Sequence, residues 1–217
     1  MFDSSILTGM IGSNEKILWK GKPNFGCFIL ESIFNPLLPF ALIWGMFDFF
    51  FLGMMFSSGG AVKGAPGFAV LPILGFFAIH LMPVWIYLFG VVFSFLRYKH
   101  TEFVITDKGV YCSGGVFAQT FEHKPFAELS HVNIHRGIVD QIIGVGDVVM
   151  TSNQDGYNTR EGHSLFRGIT ICDIADYQQV YQLVKKLQTD VYSDTMYPND
   201  LRPKENHGYN TEYKGLD

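Results

Sequence analysis

Cysteine is scarce and scattered. Cys27, Cys112 and Cys172 are odd in number, far apart and without a CxxC pair. That excludes a disulfide framework and a zinc ribbon, and it reads as three small buried hydrophobes in a reducing cytosol. Basic charge is also in deficit, 16 Lys+Arg against 20 Asp+Glu for a net charge of −4. Up to Leu96, Lys16, Lys20, Lys22 and Lys63 are offset by Asp3, Glu15, Glu31 and Asp48, so the acidic excess belongs to residues 97–217. A domain with surplus acid is a poor match for nucleic acid, whose phosphates need Lys and Arg, and for anionic headgroups.

Catalytic signatures are missing as well. There is no P-loop and no HExxH, and Gly162-His-Ser-Leu-Phe departs from a nucleophile elbow at Phe166. Gly144 and Gly146 lack the third glycine of a dinucleotide loop. His131 and His135 have a spacing that suits zinc only on a helix; on a strand they lie about 13 Å apart. The reading is therefore of no enzyme, no cofactor and no metal set. The first 23 residues lack a basic stretch followed by an apolar core, so no cleavable signal peptide is read.

What the chain does have is two long apolar stretches, residues 37–56 and 68–96. A hydrocarbon core of about 30 Å needs roughly 20 helical residues, and each stretch meets that. As one helix the second would measure about 43 Å, with Pro72 tolerable in its first turn and Pro83 placed to kink it. The pattern predicts a transmembrane hairpin over 36–96, joined by a short turn-rich loop. Residues 1–35 precede it as a cytoplasmic or interfacial segment, with an interfacial helix ending near Asn35-Pro36. Trp19, Lys20 and Lys22 before the hairpin, and Arg97, Tyr98 and Lys99 after it, read as interface anchors. With Lys16 they leave Lys63 as the one basic residue of the loop. Positive-inside counting therefore places both termini in the cytoplasm, in a cell membrane crossed twice.

Asp48 and His80 are the ionisable residues inside the spans. Counted from the loop they lie at similar depth, about 12–14 Å. Intramembrane ionisable groups are costly and find partners, so the two are expected to pair with each other or at a shared oligomer interface.

From Tyr98 the pattern changes to short β-rich runs with turn punctuation. Turns are marked by Gly109, by Gly114-Gly115, and by Gly144 and Gly146. Tyr177, Val180, Tyr181, Val184 and Leu187 then share one face of a closing helix. Antiparallel strands followed by one amphipathic helix predict an α+β domain over 97–190, a curved sheet or small barrel capped by that helix, with a polar tail over 191–217. The tail is read as disordered or as an arm that packs on the domain or a neighbouring subunit.

Four stretches carry a resemblance: Phe103-Val-Ile-Thr-Asp-Lys-Gly-Val-Tyr, Ser113-Gly-Gly-Val-Phe, Phe126-Ala-Glu-Leu-Ser-His-Val and Gly144-Val-Gly-Asp-Val-Val. With two spans preceding, residues 97–190 resemble the bacterial pleckstrin-homology domain of YdbS/YdbT-like membrane proteins. The resemblance implies a PH-like fold and a scaffold or interaction module without catalytic residues. Phosphoinositide-binding members of the wider fold class use several basic residues at the first hairpin; here Lys108 stands alone beside Asp107, so that ligand is not expected. The reading is of a non-enzymatic interaction or assembly module at the bilayer, with a protein partner or homo-oligomer. The alternative is lipid or small-ligand sensing by the domain and hairpin together.

Overall fold

A computed structural model of the chain describes residues 5–57, 66–152 and 168–196. Lys63 with most of its loop, the segment 162–166 and the tail from residue 197 lie outside the described residues. The chain divides into two units. One is residues 29–95; the other combines the residues up to Phe28 with those from Leu96 onward.

The second of these is the sheet domain, and it begins earlier than the pattern predicts. After a short helix α1 (Ser5–Met10), strand β1 (Ile17–Gly21) pairs antiparallel with β2 (Glu102–Thr106). β3 (Gly109–Gly114) and β4 (Thr120–Pro125) follow, giving a sheet ordered β1-β2-β3-β4. A second antiparallel sheet holds β5 (Leu129–His135), β6 (Gly146–Ser152) and β7 (Ile169–Ile174) in sequence order. The closing helix runs from Tyr177 to Met196, past the expected end at 190. Its Val180, Val184, Leu187 and Val191 are buried against Phe103, Ile105, Val148 and Ile171 of the sheets. Every residue of β2 is buried. Phe103 and Ile105 point into this main core, while Val104 lies with Tyr111 beneath Leu7 of α1.

The anchor reading of Trp19 is thus corrected. Trp19 is a core residue of the sheet domain, buried with Leu18, and its Nε1 donates to Asp176 Oδ2 at 2.7 Å. Lys22 pairs with Glu102 at 2.7 Å, and Lys20 reaches the same carboxylate at 3.8 Å. Five residues carrying an aromatic and a lysine look alike as a membrane flank and as an edge strand; the long-range pairing with β2 decides between them. The strand expected from Tyr98 begins later, at Glu102. Residues 98–100 continue a helix rather than open a strand, and Tyr98 packs its ring on Phe25 and Phe28, 5.0 and 5.9 Å between centroids. Arg97 lies over the Phe28 ring at 5.1 Å, and Lys99 is exposed.

Phe25–Ile33 forms helix α2, opened by Asn24, whose Oδ1 accepts the Cys27 N–H. In the other unit α3 (Leu37–Phe56) is a single helix of 20 residues, about 30 Å long. The next stretch breaks. α4 (Gly67–His80) and α5 (Met82–His100) meet at Leu81 with a 54° bend. Pro83 has no N–H to offer the carbonyl of Ile79, so the ladder cannot run through. Two indoles donate to carbonyls at the break: Trp44 Nε1 to His80 O at 2.8 Å and Trp85 Nε1 to Ala78 O at 3.1 Å. By length and composition α3 can cross a membrane; the bent α4–α5 pair can do so only as one broken span.

Between β5 and β6 the expected connector is a short helix, α6 (Ile138–Ile143), ended by Gly144 at φ 86°. Beyond its chain neighbours, nothing among the described residues lies within 4 Å of where a Cβ on Gly144 would sit, so its requirement is for backbone alone. Gly144→Ala should cost about 1–2 kcal/mol in denaturant unfolding of the domain, and an unchanged midpoint would refute a need for the left-handed turn. Gly115 is the other left-handed turn glycine, at φ 107°. Gly109 and Gly146 are needed for close approach instead, to the Lys124 carbonyl and to the Tyr177 ring, whereas Gly114 stands in open space.

Candidate functional site

Two polar clusters stand out. The first lies in the helical unit. His80 Nδ1 is 2.8 Å from Asp48 Oδ1 and 3.0 Å from Oδ2. Asp48 is fully buried, on a helix whose other large side chains are mostly exposed. The imidazole is stacked between two rings, Trp44 at 4.9 Å and Phe76 at 5.3 Å. His80 is the last residue of α4, so one residue supplies a ring to Asp48 and a carbonyl to Trp44 at the break. A paired carboxylate and imidazole screened by aromatic faces hold two helices in register.

The second cluster lies in the sheet domain. No spacing rule pointed to it, because its members come from residues 27, 140, 147 and 173. Cys27 sits one turn into α2 and donates its thiol to Asp140 Oδ1 at 3.1 Å. Asp140, in α6, accepts the Gly137 N–H at 2.7 Å with its other oxygen, closing that helix's first turn. Asp147 of β6 accepts the Asp173 N–H at 2.8 Å, and its second oxygen is 3.7 Å from His135 Nδ1. Asp173 of β7 is 2% exposed and holds a left-handed backbone, φ 55°. Its carbonyl accepts the Asn24 N–H, tying β7 to the start of α2. Its Oδ1 is buried without a hydrogen-bond partner.

Burial pushes the Asp173 carboxyl up to about 6, with the charges of Asp147 and Asp140 adding to it. Burial likewise raises the Cys27 thiol far above its ordinary value, reinforced by Asp140 and Asp173, and it raises Asp147. Arg136 is close but spends its donors on the carbonyls of Val145 and Asp140 while lying over the Tyr177 ring. His131 and His135 both lie exposed on β5. Cys112 and Cys172 are half-buried, packed against the main core.

A cavity of about 240 Å³ opens between Phe126, Leu129 and the closing helix, where Gln188, Val191 and Tyr192 line it. On the first hairpin, Lys108 is the one basic residue of the turn between β2 and β3.

Compared with known proteins, residues 49–188 match the family described as the bacterial PH domain. No curated protein and no solved structure matches the chain. The matched span starts inside α3 and ends inside the closing helix, so β1 lies outside it although β1 completes the first sheet.

Proposed function

The chain belongs to the bacterial PH domain family, and from that premise we propose that it is a membrane protein of the YdbS/YdbT-like kind whose PH-like domain is a non-enzymatic interaction and assembly module at the cytoplasmic face. α3 and the bent α4–α5 pair are its two crossings. The observation that carries this reading is the pairing of Gly21 with Phe103 across β1 and β2. The chain leaves the domain beside the point where it returns. A segment that crosses a bilayer between two such residues must cross back, so the number of crossings is even. α3 supports a crossing: Ile43, Met46, Phe49 and Phe50 are 71%, 71%, 81% and 72% exposed, a surface for lipid rather than water. Lys16, Lys20, Lys22, Arg97 and Lys99 flank the crossings against Lys63 in the loop, which supports cytoplasmic termini.

Assembly is favoured over small-ligand sensing by size and charge. Among the described residues, the cavity beside the closing helix measures about 240 Å³, below the ~300–1,000 Å³ typical of ligand pockets. The first hairpin has Lys108 beside Asp107, too little charge to hold an inositol phosphate. Native mass spectrometry of the full chain after mild detergent extraction tests the reading. A defined homo-oligomer or a stoichiometric protein partner is expected. A monomer that carries a specific lipid or small molecule would overturn assembly in favour of sensing.

A further inference from the structure

The thiol–carboxylate cluster of the sheet domain has no part in the function proposed above, yet its chemistry is incomplete. Sγ of Cys27 and one carboxylate oxygen each of Asp140 and Asp173 lie within 4.8 Å of one another, and the Sγ–Oδ1 edge to Asp140 is 3.1 Å. A tetrahedral ion with bonds of about 2.3 Å to sulfur and 2.0 Å to oxygen would need edges near 3.5 Å. The edge to Asp140 is already shorter than that and the others are at most 4.8 Å, so small side-chain rotations close the set. A single S–H cannot serve two carboxylates, and Asp173 Oδ1 is left buried and unpartnered, on a side chain turned toward the same point. Among the described residues no Lys or Arg forms an ion pair with Asp140 or Asp173. Buried carboxylates without a counter-charge ordinarily pair with a cation or bind a metal.

We propose that Cys27, Asp140 and Asp173 form a binding site for a divalent transition-metal cation of the zinc class, with water completing the shell. One thiolate with two carboxylates is a borderline donor set. It disfavours Ca²⁺ and Mg²⁺, which take all-oxygen shells, and suits Zn²⁺ or Co²⁺. On binding, the Cys27 proton leaves to solvent and the metal–sulfur bond forms, so the cation supplies the charge that the buried cluster lacks. The site would clamp the start of α2 to α6 and to the end of β7.

The test uses the full-length protein in detergent, stripped with chelator and titrated with Co²⁺. One equivalent per chain should raise a thiolate-to-cobalt charge-transfer band in the near ultraviolet, and equimolar Zn²⁺ should bleach it. Cys27→Ser should abolish the band. Asp173→Asn, which keeps the side-chain shape, should weaken binding by about tenfold or more. Circular dichroism of both variants checks folding, and the wild-type titration stands whatever the variants do. A wild-type protein with no band, or a band that survives Cys27→Ser, would overturn the site. In the first case Asp173 supplies its own missing hydrogen bond as a protonated acid; in the second the metal uses Cys112 or Cys172.

Discussion

Trp19→Ala should lower the unfolding free energy of the sheet domain by about 3–5 kcal/mol, the usual cost of emptying a buried tryptophan site. The ring is buried with Leu18 in the main core, and its Nε1 donates to the Asp176 carboxylate at 2.7 Å. Both contributions disappear together, and Asp176 keeps a carboxylate oxygen without its donor. Trp19→Phe separates them: most of the apolar area stays, so the remaining loss of about 1.5–3 kcal/mol reports the hydrogen bond to a charged acceptor. Thermal and denaturant unfolding of the purified protein measure both. A residue that merely anchored the chain at a headgroup layer would leave domain melting unchanged while altering membrane partition. That outcome would return Trp19 to the role its basic neighbours suggest.

The second large effect is expected where the helices meet. His80→Leu should destabilise the helical unit by about 3–5 kcal/mol, because Asp48 then keeps a fully buried carboxylate with no partner. Asp48→Leu should cost less, since the ring it leaves behind is still stacked between Trp44 and Phe76. The double substitution Asp48→Leu with His80→Leu should recover most of the loss. Two apolar side chains of adequate volume replace a buried pair at little net cost. The measurement is a double-mutant cycle on unfolding in detergent, read together with oligomer size. Additive losses in the double variant would mean that the two residues act separately despite their 2.8 Å contact.

How much of this was legible in the sequence depended on how far apart the interacting residues lie. α3 and the closing helix were legible because their patterns are local. An uninterrupted apolar run marks the first, and Val180, Val184 and Leu187 recurring on one face mark the second. The strands from β2 to β7 could be placed by their turn residues. Asp48 and His80 could be brought to equal depth by counting residues. β1 could not be recognised, because Ile17–Gly21 becomes a strand only through Phe103 and its neighbours, more than eighty residues later. The break at Leu81 was foreshadowed by Pro83, but its position follows from the carbonyl that this proline cannot serve. The Cys27, Asp140 and Asp173 cluster was beyond reach for the same reason as β1. Three separate elements converge on it, and no spacing of residues announces a convergence.

The β1–β2 pairing also sets an order of events during synthesis. β1 leaves the ribosome first, and its backbone donors and acceptors wait while everything from residue 22 to residue 101 is made. Only when the last turn of α5 has emerged can Glu102–Thr106 arrive to meet it. An apolar strand edge held open for that interval is exposed to wrong pairings. Closure of the first sheet is therefore a checkpoint. A chain whose intervening helices do not bring Phe103 back beside Gly21 cannot complete that sheet.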